Sequence, residues 1–120
     1  MTVIFYGNDE TESQTTSQTW QTKLSKSGIL REGDYFLHVN AEITGNLTNR
    51  AVGFRVLING VERASDTRIP QVSDGYVVLC SMGLLQIPAE GTYTVELQFI
   101  SGYSSQICKI RRARILVIKF

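Results

Sequence analysis

The stretch GTYTVELQF, residues 91–99, alternates without a fault. Tyr93, Val95, Leu97 and Phe99 fall on one face and Thr92, Thr94, Glu96 and Gln98 on the other, the period of a strand with one buried and one wet side. DYFLHVNAEI repeats it, with Tyr35, Leu37, Val39, Ala41 and Ile43 inward and His38, Asn40 and Glu42 outward. Both patterns predict antiparallel strands. VGFRVLINGVERAS puts Phe54, Val56 and Ile58 on one face before Asn59-Gly60, the pair best suited to a type I′ hairpin turn, whose two central residues need positive φ. Further strands are predicted at residues 3–6, 19–24, 76–82, 84–87 and 107–119. The turn signals SGILREGD, TGNLTN, SDG, PAEG and SGYSS punctuate the strands, and Pro70 and Pro88 stand at strand ends. No stretch of ten or more residues holds a helical period.

About eight mostly antiparallel strands in 120 residues predict one all-β domain, a two-sheet jelly-roll sandwich over residues 1–120. An immunoglobulin-type sandwich is disfavoured because Trp20 precedes both cysteines. Residues 11–19, TESQTTSQT, contain no apolar side chain, so residues 1–19 are expected to form a polar arm or edge strand, with Trp20 anchoring the chain in the core. Cys80 and Cys108 lie inside apolar runs and are expected to be free thiols acting as small hydrophobes. Asn46-Leu47-Thr48 matches the glycosylation triplet, which is common by chance and is disregarded.

Twelve Lys and Arg oppose eleven Asp and Glu, a net charge of +1, which supplies no field for drawing in nucleic acid or an anionic membrane. MTVIFYGNDE lacks the basic and long apolar regions of a secretory signal, and no apolar run is long enough to span a bilayer. Synthesis in the cytoplasm is the expectation. The one histidine, His38, has no partner in sequence for a nitrogen and sulfur metal site. No G-x-S-x-G, cysteine and histidine constellation or phosphate loop is present, and Asp9 with Glu10 lies in a polar turn. The chain is therefore expected not to be an enzyme and to need no catalytic residues, cofactor or metal.

Strict alternation would split Lys109 and Arg111 from Arg112 and Arg114, preventing one basic patch. Pairing with acids such as Glu90 and Glu96, or with a neighbouring subunit, is expected instead. The carboxy-terminal run ILVIKF is apolar on both faces, with Leu116, Ile118 and Phe120 on one and Ile115 and Val117 on the other. A sandwich strand needs only its inner face buried, so a further layer is predicted. A homotrimer with these five residues at its interface would supply that layer. Thr11, Gln14 and Tyr103 are candidate partner contacts, with Tyr103 free to stack on a sugar.

The succession EGDYFLHVNAEI, FRVLINGVERAS, LLQIPAEGTYTVELQF and KIRRARILVIKF resembles the TNF/C1q-like jelly rolls, especially small trimeric ones of bacteriophage virions, over residues 30–120. The resemblance implies a homotrimer with its last strand near the axis and carries over no catalytic residues. No collagen-like stalk or membrane anchor accompanies it, unlike the animal signalling ligands. Together these features predict a non-enzymatic virion structural protein. Capsid decoration is the leading role, with the major capsid protein or other virion proteins as partners. The alternative is a carbohydrate-binding or receptor-binding module of a phage tail, with a glycan as ligand.

Overall fold

The computed structural model describes residues 2–120, which form nine strands and no helix. In chain order these are β1 (Thr2–Asp9), β2 (Ser13–Thr15), β3 (Gln21–Leu30), β4 (Gly33–Gly45), β5 (Val52–Ile58), β6 (Val61–Arg68), β7 (Val77–Ile87), β8 (Gly91–Ser101) and β9 (Cys108–Lys119). Sheet A has the order β1-β9-β4-β7, with β2 also on β9, and sheet B the order β3-β8-β5-β6. The antiparallel pairs β1/β9, β3/β8, β4/β7 and β5/β6 are nested, as in one long hairpin rolled so that successive pairs alternate between sheets. That topology is a jelly roll. The all-β sandwich read from the alternation is thus the fold, elongated to 44 × 24 × 21 Å.

The tip of the rolled hairpin is Asn59-Gly60, with φ of 48° and 79°, both positive as a type I′ turn requires. Asn59 also ties the tip to β8: its N–H donates to the Thr94 carbonyl at 2.9 Å and its Oδ1 accepts the Thr94 N–H at 2.8 Å. Two predicted strands, 76–82 and 84–87, are one. Gly83 continues the β4/β7 ladder opposite Leu37 without a break. The polar segment contributes edge strands: β1 runs along β9 to Asp9, and β2 pairs with its first residues.

Between the sheets lies one apolar core. Val39, Ile43, Ile115 and Val117 come from sheet A, and Phe54, Val56, Val95 and Leu97 from sheet B. Each such side chain taken fully out of water contributes about 1.5–3 kcal/mol. Register shifts interrupt the ladders at four places, among them Val3/Phe5 on β1 and Val56/Leu57 on β5, and the other two redirect the side chains that follow them. One lies between Thr22 and Leu24 on β3, and the other opposes Asn40–Glu42 to Arg111–Arg114, with Arg112 at φ 52°. An extra residue at a bulge reverses which face the following side chains take.

Chain ends and turns divide the sandwich lengthwise. Both termini, the β3–β4 turn and the hairpin tip lie at one end, and the loops after β2, β4, β6 and β8 lie at the other. Gln106 organises the loop end although it is wholly buried. Its Oε1 accepts the Leu47 N–H at 2.7 Å, and its Nε2 donates to the carbonyls of Leu47 at 3.0 Å and Arg50 at 2.9 Å. Gly45 is required beside it, since a Cβ there would stand 2.5 Å from Gln106 Nε2.

Candidate functional site

At the terminal end, the cross-strand pairs of sheet A align its outward side chains in rows. Val3, Ile118, Phe36 and Leu84 form one, and Tyr6, Leu116, His38 and Met82 the next. Cross-strand partners share a face, so seven apolar or aromatic side chains surround His38 on the outside of the sandwich. Phe120 extends the patch, 63% exposed, its ring edge-on to Phe36 at 6.5 Å. Met82 and Leu84 are 63% and 60% exposed. Leu116, Ile118 and Phe120 therefore look outward, whereas Ile115 and Val117 have no exposure. The placement of Ile115 and Val117 at a subunit interface is corrected: their covering layer is sheet B of the same chain. Around edge strand β7 the apolar surface continues into a cleft of about 340 Å³ between the free edges of the two sheets, lined by Leu37, Arg63, Ala64 and Leu85.

Further along the same face the surface is charged. The bulge at Arg112 places Lys109, Arg111, Arg112 and Arg114 all outward, correcting the expected split. Their acids are not Glu90 or Glu96. Lys109 pairs with Asp74 at 3.2 Å, Arg111 and Arg112 with Glu42 at 2.9 and 2.8 Å, and Arg114 with Glu10 at 3.0 Å. The Arg112 bond holds the Glu42 carboxyl below its usual range, and the Arg114 bond does the same for Glu10. Arg111 also stacks 3.7 Å from the Tyr76 ring centroid, while the Tyr76 hydroxyl donates to Glu12. The cluster is a charge-compensated network.

The two cysteines differ. Cys108 is buried, and burial pushes its thiol up to about 12. Cys80 is exposed on the outer face of β7, contrary to its expected place as a core hydrophobe, with Sγ 3.1 Å from His38 Nε2. Both thiols are free.

The three candidate contacts are placed separately. Thr11, in the β1–β2 turn, gives its hydroxyl to Asp9, and Gln14 is exposed on β2 opposite Lys109. Tyr103 is exposed in the β8–β9 loop with the Arg50 guanidinium 4.4 Å from its ring centroid.

The expected place of Trp20 as a core anchor is corrected. Trp20 is half-buried and outside the apolar core, with the Arg55 guanidinium 4.6 Å from its ring centroid. The core placement is expected because Trp20 directly follows the apolar-free segment 11–19, and simple alternation would also put it on the face of Leu24, which packs on the core. The bulge at Lys23 reverses the phase. Trp20 therefore stands on the outer face of sheet B, beside a relay of planar side chains. Arg55 Nε donates to Gln98 Oε1 at 2.8 Å, Gln98 Nε2 donates to Glu96 Oε2 at 3.0 Å, and Thr22 donates its hydroxyl to the same carboxylate oxygen. Arg55 also faces Glu62 at 3.5 Å.

No family model matches the chain, and no curated protein matches it. Solved structures do. The TNF-type protein Eiger from S. frugiperda aligns with a TM-score of 0.65 at 7% identity, covering 100% of this chain and 94% of that one. The CBM36-1 domain of a multidomain xylanase, from the hindgut metagenome of Trinervitermes trinervoides, gives 0.55 at 10% identity, covering 92% and 94%. The C-terminal domain of EclA, a sugar-binding protein, gives 0.53 at 12% identity, covering 88% and 77%. At these identities the likeness establishes a shared β-sandwich fold.

Proposed function

We propose that this chain is a non-enzymatic virion structural protein that assembles as a homotrimer through the terminal end of sheet A's outer face, most directly a capsid-decoration subunit. The apolar rows around Leu116, Ile118 and Phe120 carry the reading. Monomers seldom leave a contiguous apolar patch of this kind in water. A threefold ring joins two different patches of each subunit. This chain offers the face of β1 and β9 as one and the apolar edge of β7, with its cleft, as the other. The small all-β build and the resemblance to small phage jelly rolls support the virion role, and the likeness to a TNF-type fold is compatible with the trimer.

Light scattering on the purified protein tests the assembly. The parent is expected at three times the chain mass and Ile118→Asp at the mass of one folded chain. A monomeric parent sinks the trimer. Val117→Asp, one position away but core-facing, is expected instead to fail to fold, since it buries an unpaired charge. Removing residues 1–19 would strip β1 and β2 from sheet A, so the capsid contact is better probed by Gln14→Arg on exposed β2. Loss of co-sedimentation with capsid shells assembled without the protein is the expected outcome; undiminished binding removes β2 as the contact.

A second reading, a carbohydrate-binding or receptor-binding module of a phage tail, is favoured by the aromatic side chains at the loop end. It is supported by the two sugar-linked neighbours, the EclA domain and the xylanase module. It shares the trimer and differs in the ligand.

A further inference from the structure

We propose that the outer face of sheet B is a saccharide-binding platform centred on Trp20, with Arg55, Gln98 and Glu96 as its polar contacts. The proposal rests on the carbohydrate-binding reading and relocates its site away from Tyr103. A sugar ring has an apolar C–H surface flanked by hydroxyls that both donate and accept. An aromatic ring can take the former, and a set of planar polar groups the latter. Here the polar set is complete in kind: Arg55 supplies donors only, Glu96 acceptors only, and Gln98 both.

The groups are also held in place before any ligand arrives. The bonds from Arg55 to Gln98, from Gln98 to Glu96 and from Thr22 to Glu96 form one relay across β5, β8 and β3. Ordering these side chains in the free protein removes an entropy cost from binding. Capacity is left over. Arg55 commits Nε to Gln98 and lays its guanidinium over one face of Trp20, 4.6 Å from the ring centroid, so the sugar takes the other face. Glu62, at 3.5 Å, is the carboxylate partner of the Arg55 terminal nitrogens, and Glu96 receives both bonds on Oε2, leaving Oε1 to accept. One guanidinium against the two carboxylates Glu62 and Glu96 makes the platform slightly anionic, which favours a neutral sugar over a sulfated or phosphorylated one. The hydroxyl pair Ser27 and Thr94, 2.7 Å apart, lies further along the same strands, so an oligosaccharide running along β3 and β8 would meet polar groups beyond the tryptophan. Sheet A's apolar face lies on the opposite side, so the platform stays open when that face is covered.

Trp20 is the only tryptophan in the chain and reports on its own surroundings. The full chain is screened on an array of neutral oligosaccharides, and the best binder is titrated while tryptophan emission is followed. A saturable blue shift is expected. Trp20→Ala is expected to weaken array binding about tenfold or more, as truncation of a central aromatic anchor does. Gln98→Ala, which spares the fluorophore and lies on the outer face of β8, is expected to weaken binding severalfold, and Tyr103→Ala to leave it unchanged. If an array-positive sugar leaves the emission untouched and binds Trp20→Ala and Gln98→Ala as well as the parent, the platform is refuted while the carbohydrate reading stands. If no sugar binds the parent, both fall.

Discussion

Gln106→Ala is expected to lower the melting temperature by about 15 °C at fixed protein concentration, a loss of about 4 kcal/mol at roughly 4 °C per kcal/mol for a chain of this size. The magnitude follows from what the amide leaves behind. The Leu47 N–H and the carbonyls of Leu47 and Arg50 all bond to it and have been withdrawn from water. Each buried polar group stripped of its partner costs about 1–3 kcal/mol, and water entering the vacated space recovers part of that. Ala also leaves a gap beside Gly45. Gln106→Glu is a sharper control. It keeps an acceptor for Leu47 but turns a second acceptor toward two carbonyls, so at pH 7 it should melt no higher than the Ala variant. Thermal melts followed by circular dichroism decide the matter, and a Gln106→Ala loss below about 1 kcal/mol would mean that the loops are held by something else. Because the same amide fastens the carbonyl of Arg50, whose guanidinium covers Tyr103, the variant should also loosen that stack.

The sandwich was legible wherever alternation ran unbroken. GTYTVELQF and DYFLHVNAEI show their inner faces because a one-sided burial requirement repeats every second residue, and Asn59-Gly60 shows the hairpin tip because so few residues accept two positive φ angles in succession. What alternation cannot reveal is an inserted residue. The bulge at Lys23 turned Trp20 from an apparent core anchor into a surface aromatic, and the one at Arg112 gathered four cations on one face. A residue in the left-handed region leaves no strong mark in sequence when it is Arg rather than Gly or Asn. Ile115 and Val117 show a different limit. Their strand is apolar on both sides, and the pattern alone could not say which side faced sheet B and which faced outward.

The candidate surfaces were legible in proportion. Leu116, Ile118 and Phe120 were accessible to the same period-two reading, but their neighbours Val3, Tyr6, Phe36 and Leu84 come from three other strands, and only the register places them in rows. Likewise Trp20, Arg55, Gln98 and Glu96 come from distant parts of the chain. The resulting molecule carries an apolar face at the end holding its termini and a polar, aromatic face at its loop end.

Lys23→Met should cost about 3 kcal/mol, or roughly 12 °C in melting temperature, although methionine keeps most of the apolar stem. The Lys23 side chain has no exposure, and its three N–H groups reach three acceptors: the Thr11 carbonyl at 2.6 Å, Ser13 Oγ at 2.9 Å and Asp9 Oδ2 at 3.1 Å. Every donor of the ammonium is satisfied, which is what permits a charge there. The bond set also pins the turn between edge strands β1 and β2 onto β3 of the other sheet, so its loss should free residues 1–19 before the rest of the sandwich melts. Hydrogen exchange would register this as early loss of protection at residues 2–9, confined to the amino-terminal strands. Acid should act through the partner. The hydroxyl of Thr11, then Lys23, hold the Asp9 carboxyl below its ordinary range. A carboxyl depressed in the folded state binds fewer protons there than in the unfolded chain. Its stabilisation is therefore present above the unfolded value of about 3.9 and drains away as pH falls through the folded one. Asp9→Asn should be less stable than the parent at pH 7, and the gap between their urea midpoints should narrow as pH is lowered from about 5 to 3. A gap that stays constant over that range would mean that the Asp9 charge contributes nothing to holding the amino-terminal strands against β3.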